Sequence, residues 1–242
     1  FFSAVLSAAQ VSGNYKFNNS SYCSTITKED LNEITSVYIN DLKSYDPNGI
    51  QYLTNLDALD IDGYLHSIDL SKNKKLRSLT LSYSRLTEID LSNNPNLNTL
   101  FLSNEGLSSI NLSSNPNLTY LTLSDDNLSN LDLSNNLKLT NLRLSLGLTD
   151  IDLSKLINLQ YLTLNTYKIS NLDLSSNVKL KYLNLSSSYI SSIDLSNNRD
   201  LTDLSLFYNN IKSIDLSNNE KLINFLEKNN YEFIVYLHDN MQ

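Results

Sequence analysis

Aromatic and polar side chains recur at outward positions of a repeated sequence pattern, and their chemistry suits molecular recognition. Tyr supplies a large amphipathic contact surface at low entropy cost, while Ser and Asn supply adaptable hydrogen bonds. Tyr161 and Tyr182 occupy equivalent positions in successive copies of the pattern. The general preference of aromatic residues for strands is the alternative explanation for any single one. The candidate ligand-binding residues are Phe101, Tyr120, Arg143, Tyr161, Tyr182, Asn184, Asp203, Phe207 and Tyr208.

Residues suited to catalysis or metal binding are sparse. Cys23 is the only cysteine, so it cannot form a disulfide within the chain, and His66 and His238 are distant from it in sequence. The sequence contains no nucleophile elbow, no Gly-rich phosphate loop and no His-rich metal motif. We therefore expect no enzymatic activity, no metal site and no cofactor.

One acidic residue recurs in almost every copy of the pattern. Each stands between two apolar residues and must point outward. Carboxylates stacked about 5 Å apart repel one another only weakly in water. Two interpretations follow, a cation-binding strip or a solvated ladder that hydrogen-bonds neighbouring turns, and we favour the second. The column consists of Asp69, Asp90, Asn111, Asp132, Asp152, Asp173, Asp194 and Asp215.

The repeated phrase that positions all of these residues is Leu-x-x-Leu-x-Leu, followed by Ile-Asp-Leu-Ser-x-Asn, every 20 to 21 residues. This period predicts a leucine-rich repeat solenoid, a horseshoe-shaped right-handed superhelix with a parallel concave β-sheet and few short helices. Neighbouring copies must stack to bury their apolar residues. Copies begin at Leu56, Leu76, Leu97, Leu118, Leu139, Leu159, Leu180, Leu201 and Leu222, with a degenerate copy at Ile34.

Within one copy, alternation predicts a short strand with Leu79 and Leu81 facing inward. Pro95 and Pro116 exclude a long helix on the return side, which we expect to be extended or to contain short 3₁₀ turns. Two polar columns are expected to supply partners for backbone groups near the core. They are Ser71, Ser92, Ser113, Ser134, Ser154, Ser175, Ser196 and Ser217, and Asn73, Asn94, Asn115, Asn136, Asn177, Asn198 and Asn219.

The domain organisation follows from where the repeat begins and ends. Residues 1–33 are predicted to form an N-terminal helical cap, since Phe2, Val5, Leu6 and Ala9 fall on one helical face. The alternative is that this segment is the tail of a signal peptide. Residues 34–242 form a repeat array of about ten units, the last of them degenerate.

Charge and hydropathy limit the partners. The net charge of −8 disfavours nucleic acid and anionic membranes, which attract clustered positive charge. The basic residues between Lys72 and Arg77 are interpreted as a solvated turn. No apolar run approaches the roughly 20 residues of a membrane-spanning helix. We expect a soluble monomer that is not inserted in a membrane.

The chain resembles the internalin-type leucine-rich repeat proteins of bacteria, in particular the internalin J type with 21-residue repeats. The resemblance rests on LDLSNN at 131–136 and LTYLTL at 118–123, together with the segments ITKEDL at 26–31 and GIQYLTNL at 49–56. It covers nearly the whole chain. It implies a secreted or wall-attached bacterial protein that holds a protein or glycan ligand, such as one of a host, on its concave sheet.

Two features depart from that family. The position three residues after the second strand Leu is commonly Asn there, often with Cys in the strand, whereas this chain keeps Leu in the strand and varies the other position. That position holds Ser84, Glu105, Asp126, Tyr167, Ser188 and Asn209. The family cap often carries an acidic calcium loop, but residues 14–24 contain no acidic residue, so we predict no calcium there. A recognition arm of a larger effector and a self-associating surface protein remain the alternatives.

Overall fold

The computed structural model describes residues 9–12, 31–42, 49–104, 106–125, 128–166 and 168–228. Ten strands form one sheet in chain order, and β2 to β10 are all parallel. The strands are β1 Ala9–Ser12, β2 Ser36–Leu42, β3 Ala58–Gly63, β4 Ser78–Ser84, β5 Thr99–Asn104, β6 Tyr120–Asp125, β7 Asn141–Leu146, β8 Tyr161–Leu164, β9 Tyr182–Asn184 and β10 Asp203–Ser205. A 3₁₀ helix covers Ile50–Tyr52 and helix α1 covers Glu220–Lys228.

The parallel strands place buried apolar residues, most of them Leu, in register. Leu79 pairs with Leu100 and Leu81 pairs with Leu102, and all four side chains are fully buried. Burial of a Leu side chain contributes about 1.5 to 3 kcal/mol, so each copy adds a similar increment to one continuous core. The predicted leucine-rich repeat solenoid is confirmed, with one parallel strand for each of the first nine copies.

The N-terminal edge of the parallel sheet is covered by β1, which pairs antiparallel with β2. The prediction of a helix through Ala9 is therefore wrong for Ala9–Ser12. An uncovered edge strand presents unpaired N–H and C=O groups, and an added strand satisfies them where a helix would not. Phe2, Val5 and Leu6, Cys23 and residues 14–24 lie outside the described residues.

The C-terminal end of the array also differs from a regular repeat. Leu222 is buried as the first Leu of a copy, but Leu222 and the residues that follow it up to Lys228 lie in helix α1. The helix carries Phe225, which is about half exposed. The degenerate sequence after Leu222 thus corresponds to a change of secondary structure, and Val235 and Leu237 lie outside the described residues.

Buried Asn side chains connect each coil to the coils before it. The Nδ2 group of Asn115 donates to the carbonyl oxygens of Leu91, at 3.0 Å, and Asn94, at 2.9 Å. Because carbonyl oxygens only accept hydrogen bonds, these contacts fix the orientation of the amide. The same pair of bonds is made throughout what we call the Asn ladder, which consists of Asn73, Asn94, Asn115, Asn136, Asn177, Asn198 and Asn219.

The ladder has one interruption. Leu156 takes the Asn position in the copy that begins at Leu139, and its side chain is buried. Asn177 still donates to the carbonyl oxygens of Leu153 and Leu156, both at 3.0 Å, so the ladder resumes in the next copy. The structural role predicted for the Asn column is thus confirmed.

Replacing Asn136 with Ala should lower the free energy of unfolding by about 1 to 3 kcal/mol, because two buried carbonyl oxygens lose a donor. Each of these carbonyls keeps one backbone donor, the N–H of Asn115 or of Leu118, which limits the loss. The measurement is urea unfolding followed by circular dichroism. Asn135→Ala is the matched control, since Asn135 is exposed and should change stability by less than about 0.5 kcal/mol. Equal effects of the two substitutions would contradict a supporting role for the ladder.

The acidic and Ser columns work together on the return side of the coil. The backbone N–H of Ser134 donates to the carboxylate Oδ1 of Asp132 at 2.8 Å, and Asn111 accepts the same bond from Ser113 at 3.0 Å. The prediction that these acids bond neighbouring turns is wrong, because each bonds the Ser two residues later in its own copy. None of the Ser residues of this column is buried, so the predicted role of their side chains as partners for a buried backbone is also wrong.

These turns make folding sensitive to acid. Hydrogen bonds from the Ser backbone and side chain lower the pKa of Asp132, Asp173 and Asp194 below the usual value. A group with a lowered folded-state pKa stabilises the fold above its unfolded pKa of about 3.9, and this contribution is lost as the pH falls through the folded-state pKa.

A variant with Asp90, Asp132 and Asp173 changed to Asn should therefore lose less stability than the wild type between pH 6 and pH 2.5. Asn111 shows that a neutral amide accepts the same bond, so the turns should persist while their titration disappears. Urea unfolding at a series of pH values measures the difference. A loss of stability as steep as that of the wild type would contradict the assignment.

Candidate ligand-binding face

The outward face of the sheet, called the concave face here, aligns the candidate residues in two rows. In the first row Tyr120 pairs with Asn141, Asn141 with Tyr161, Tyr161 with Tyr182, and Tyr182 with Asp203. The rings of Tyr161 and Tyr182 have centroids 6.4 Å apart and planes inclined by 31°. This separation is within the range of interacting aromatic pairs. The prediction that the two tyrosines share one column is confirmed.

These residues border a shallow groove of about 480 Å³, which we call the tyrosine groove. Tyr120 and Tyr161 keep 51% and 44% of their surface exposed although their strands are fully paired, so the rings are available to a ligand. Thr and Asn side chains between the rings supply hydrogen-bonding groups. The outward side chains of the groove are Tyr120, Thr122, Asn141, Arg143, Tyr161, Thr163 and Tyr182.

Arg143 provides the positive charge of the groove. It lies in the second row, where its strand neighbours are Thr122 and Thr163, and its side chain is exposed. Within the described part of the chain, the ion pairs are Arg77 with Asp57 and Lys221 with Asp200, and the stacked cation is Arg85, 4.9 Å above the ring of Tyr64. Arg143 takes part in none of these contacts, so its guanidinium faces the groove without a described partner.

The other strand residues among the candidates lie at the borders of the groove. Phe101 is in the second row on β5, where it pairs with Thr122 and is partly buried. Asn184 pairs with Thr163 on the opposite side, and its Oδ1 accepts the backbone N–H of Ser186 at 3.0 Å. Asp203 follows Tyr182 in the first row and is exposed. The structure thus gathers four of the candidates in the groove and places these three next to it.

Phe207 and Tyr208 lie beyond the strand on which the sequence pattern placed them. Strand β10 ends at Ser205, and Tyr208 has a left-handed backbone conformation with φ of 55°. Asn209 fixes this turn, because its Nδ2 donates to the carbonyl oxygens of Leu206 and Phe207 at 3.1 and 3.2 Å. Its Oδ1 accepts the N–H groups of Ser188 and Ile190 in the preceding copy at 3.2 and 3.0 Å. The two rings contact each other with centroids 6.5 Å apart. They form an aromatic pair at the carboxyl end of the strands.

Two further tyrosines with a left-handed backbone, one of them in strand β4, were missed by the sequence analysis. Tyr83 and Tyr189 both have φ of 56°, and 68% and 59% of their surfaces are exposed. A bulky residue in the left-handed region is uncommon and strained. Tyr83, like Tyr208, stands two residues after the second Leu of its strand, and this shared position was the signal available in the sequence.

Negative charge lies on the concave face at a distance from the groove. Asp60 occupies the second row on β3, four strands from Arg143, or about 19 Å at about 4.8 Å per strand. Burial, together with the neighbouring carboxylate of Asp62, raises the pKa of Asp60. Asp203 lies three strands from Arg143 in the other direction, or about 14 Å. Within these two rows of the described strands, Arg143 is therefore the one cation, and it lies between Asp60 and Asp203.

The groove offers contact surface and hydrogen bonds, but it lacks the paired acid, base or nucleophile that catalysis needs. Across the described segments, no three His, Cys, Asp or Glu side chains are close enough together to hold a metal ion. The same segments contain no helix with the length and apolar character required to cross a bilayer.

Solved structures similar to this chain include bacterial internalins. The functional domain of InlJ from Listeria monocytogenes, which includes a cysteine ladder, matches at 31% sequence identity with a TM-score of 0.74. The match covers 79% of this chain and 43% of that domain, so the chain spans less than half of its length. An internalin of the same organism, inlF, matches at 26% identity with a TM-score of 0.59, over 84% of this chain and 76% of the other.

The structure is also similar, at lower sequence identity, to the ectodomain of a plant receptor. The ectodomain of the receptor kinase GASSHO1/SCHENGEN3 of Arabidopsis thaliana, solved in complex with CASPARIAN STRIP INTEGRITY FACTOR 2, is 21% identical with a TM-score of 0.66. It covers 80% of this chain and 26% of the receptor and supports the fold alone. No protein-family model matches the chain, and no curated protein matches it.

Proposed function

Because the chain is an internalin-like leucine-rich repeat protein, we propose that it is a non-enzymatic binding module whose concave face holds a protein or glycan ligand. The observation that carries this proposal is the tyrosine groove. Tyr161 and Tyr182 pack against each other in register there, with Tyr161 exposed to solvent and Tyr182 half-buried. Exposed, rigidly mounted tyrosines are typical of binding hot spots.

The similarity to the internalins also supports a proposal for where the protein is located and what role it has. We place the module in a secreted or cell-wall protein of a bacterium, acting in adhesion or host interaction. The acidic net charge agrees with a partner other than nucleic acid. The solenoid also supports the proposal, because a chain of paired strands presents a large fixed surface without ordering cost on binding.

Replacing both Tyr161 and Tyr182 with Ala should weaken ligand binding by about tenfold or more, since truncated hot-spot aromatic residues cost about 2 kcal/mol or more. Stability should fall by only about 1 kcal/mol, because both rings lie outside the core. Binding is measured by surface plasmon resonance against a panel of host extracellular proteins, mucins and glycans. Thermal unfolding of the same samples reports stability.

The control for this experiment is Tyr52→Ala, which removes an equally large ring that is 60% exposed and lies in the 3₁₀ helix away from the strands. This control should leave binding unchanged. Binding that survives loss of both groove tyrosines, or a loss of binding that merely follows unfolding, would contradict the proposed site.

Self-association is the second candidate, because an apolar stripe lies on the turns that precede the strands. Leu137, Ile157 and Val178 occupy equivalent positions in three successive copies and are 48%, 54% and 50% exposed. Exposed Pro95 and Pro116 extend the stripe to five copies. Analytical ultracentrifugation distinguishes the candidates. Oligomers that Ile157→Lys converts to monomers would favour a self-associating surface protein over a ligand-binding one.

A further inference from the structure

We propose that the ligand of the tyrosine groove is a peptide segment of a protein that presents an Asp or Glu carboxylate to Arg143. This inference rests on the proposed function and specifies the chemistry of the partner. Arg143 lines the groove together with tyrosine, threonine and asparagine side chains, and it is exposed.

Arg143 is not needed to hold the fold. Its side chain is exposed, and no ion pair or cation–π contact of the described residues includes it. The equivalent positions on the neighbouring strands are Thr122 and Thr163, so neither packing nor strand pairing requires a long cationic side chain there. A planar guanidinium with five donors is suited to bidentate recognition of a carboxylate.

Two tyrosine rings lie next to Arg143. The diagonal neighbours on the adjacent strands are Tyr120 and Tyr161, one on each side of Arg143. When a ligand covers the groove, these rings exclude water from the ion pair, and an ion pair strengthens when its surroundings are less polar. The tyrosine rings and the cation would thus act on adjacent parts of one ligand.

The acidic residues on either side of Arg143 favour a peptide over an acidic glycan as the ligand. Asp60 and Asp62 lie about 19 Å from Arg143 on one side, and Asp203 lies about 14 Å away on the other. A ligand with negative charge along its whole length would be repelled at both ends. A peptide can place one carboxylate on Arg143 and Lys or Arg side chains near the acidic ends.

The test is selection from a phage-displayed library of random 12-residue peptides on the immobilised full chain. Four proteins are compared: the wild type, Arg143→Met, Arg199→Met and the Tyr161→Ala/Tyr182→Ala double variant. Arg199 is an exposed arginine in a turn outside the sheet, so its substitution controls for the general loss of one positive charge. Thermal unfolding of each variant confirms that it is folded.

The proposal predicts that peptides selected on the wild type and on Arg199→Met share an Asp or Glu next to an aromatic or apolar residue. A synthetic peptide from this set should bind Arg143→Met about tenfold more weakly, as expected for a charge-assisted hydrogen bond. Changing its acidic residue to Asn or Gln should weaken binding to the wild type by a similar factor and should leave binding to Arg143→Met unchanged. Binding to the wild type should also weaken as salt is added.

The remaining outcomes separate this proposal from the proposed function. Peptides that need the two tyrosines but contain no acidic residue, or that bind Arg143→Met equally well, would overturn the carboxylate assignment and leave the binding function standing. No peptide enriched on the wild type over the tyrosine double variant would overturn the peptide assignment. If sialylated or uronic-acid glycans then bind in an Arg143-dependent way, the function stands with a glycan ligand; if nothing binds, both proposals fail.

Discussion

The interaction on which the rest of the structure depends is the pair of hydrogen bonds from each buried Asn side chain to two carbonyl oxygens of preceding coils. Asn115 makes these bonds to the carbonyls of Leu91 and Asn94. They join residues 24 and 21 positions apart, so they hold successive coils at a fixed separation. The Oδ1 atom of each ladder Asn has no described partner, so the geometric constraint is obtained at some energetic cost.

This constraint leaves the concave face free to vary. Core packing fixes the inward residues, such as Leu142 and Leu162, and the ladder fixes the return side of the coil. The outward residues of the strands contribute little to stability, because they lie outside the core and each inner strand is already paired on both sides. The stacking of Tyr161 on Tyr182 and the open position of Arg143 follow from strand register, which places equivalent side chains about 4.8 Å apart. Fold and recognition are therefore largely separable in this chain.

Sequence periodicity was enough to predict the solenoid because most buried positions repeat as Leu, and a residue repeated at a fixed period has one consistent placement. It also identified the Asn ladder and the column of Tyr161 and Tyr182. Periodicity gave wrong predictions where the pattern is not periodic. Ala9 lies in an edge strand and not in a helix, and Tyr208 lies in a left-handed turn after β10 and not on the strand. The acidic column was misread because period alone does not reveal whether Asp132 bonds its own copy or the next. The groove could not be predicted from the sequence, because its shape depends on how side chains from four strands lie next to one another.

The most direct test of this account is the hydrogen exchange of Asn side-chain amides, measured by nuclear magnetic resonance on the ligand-free chain. The account predicts that the Nδ2 protons of Asn115 and Asn198, which each donate to two buried carbonyls, exchange as slowly as backbone amides of the central strands. The exposed amide of Asn135 should exchange rapidly. Rapid exchange at Asn115 and Asn198 as well would show that the ladder does not hold the coils together, and would contradict the account.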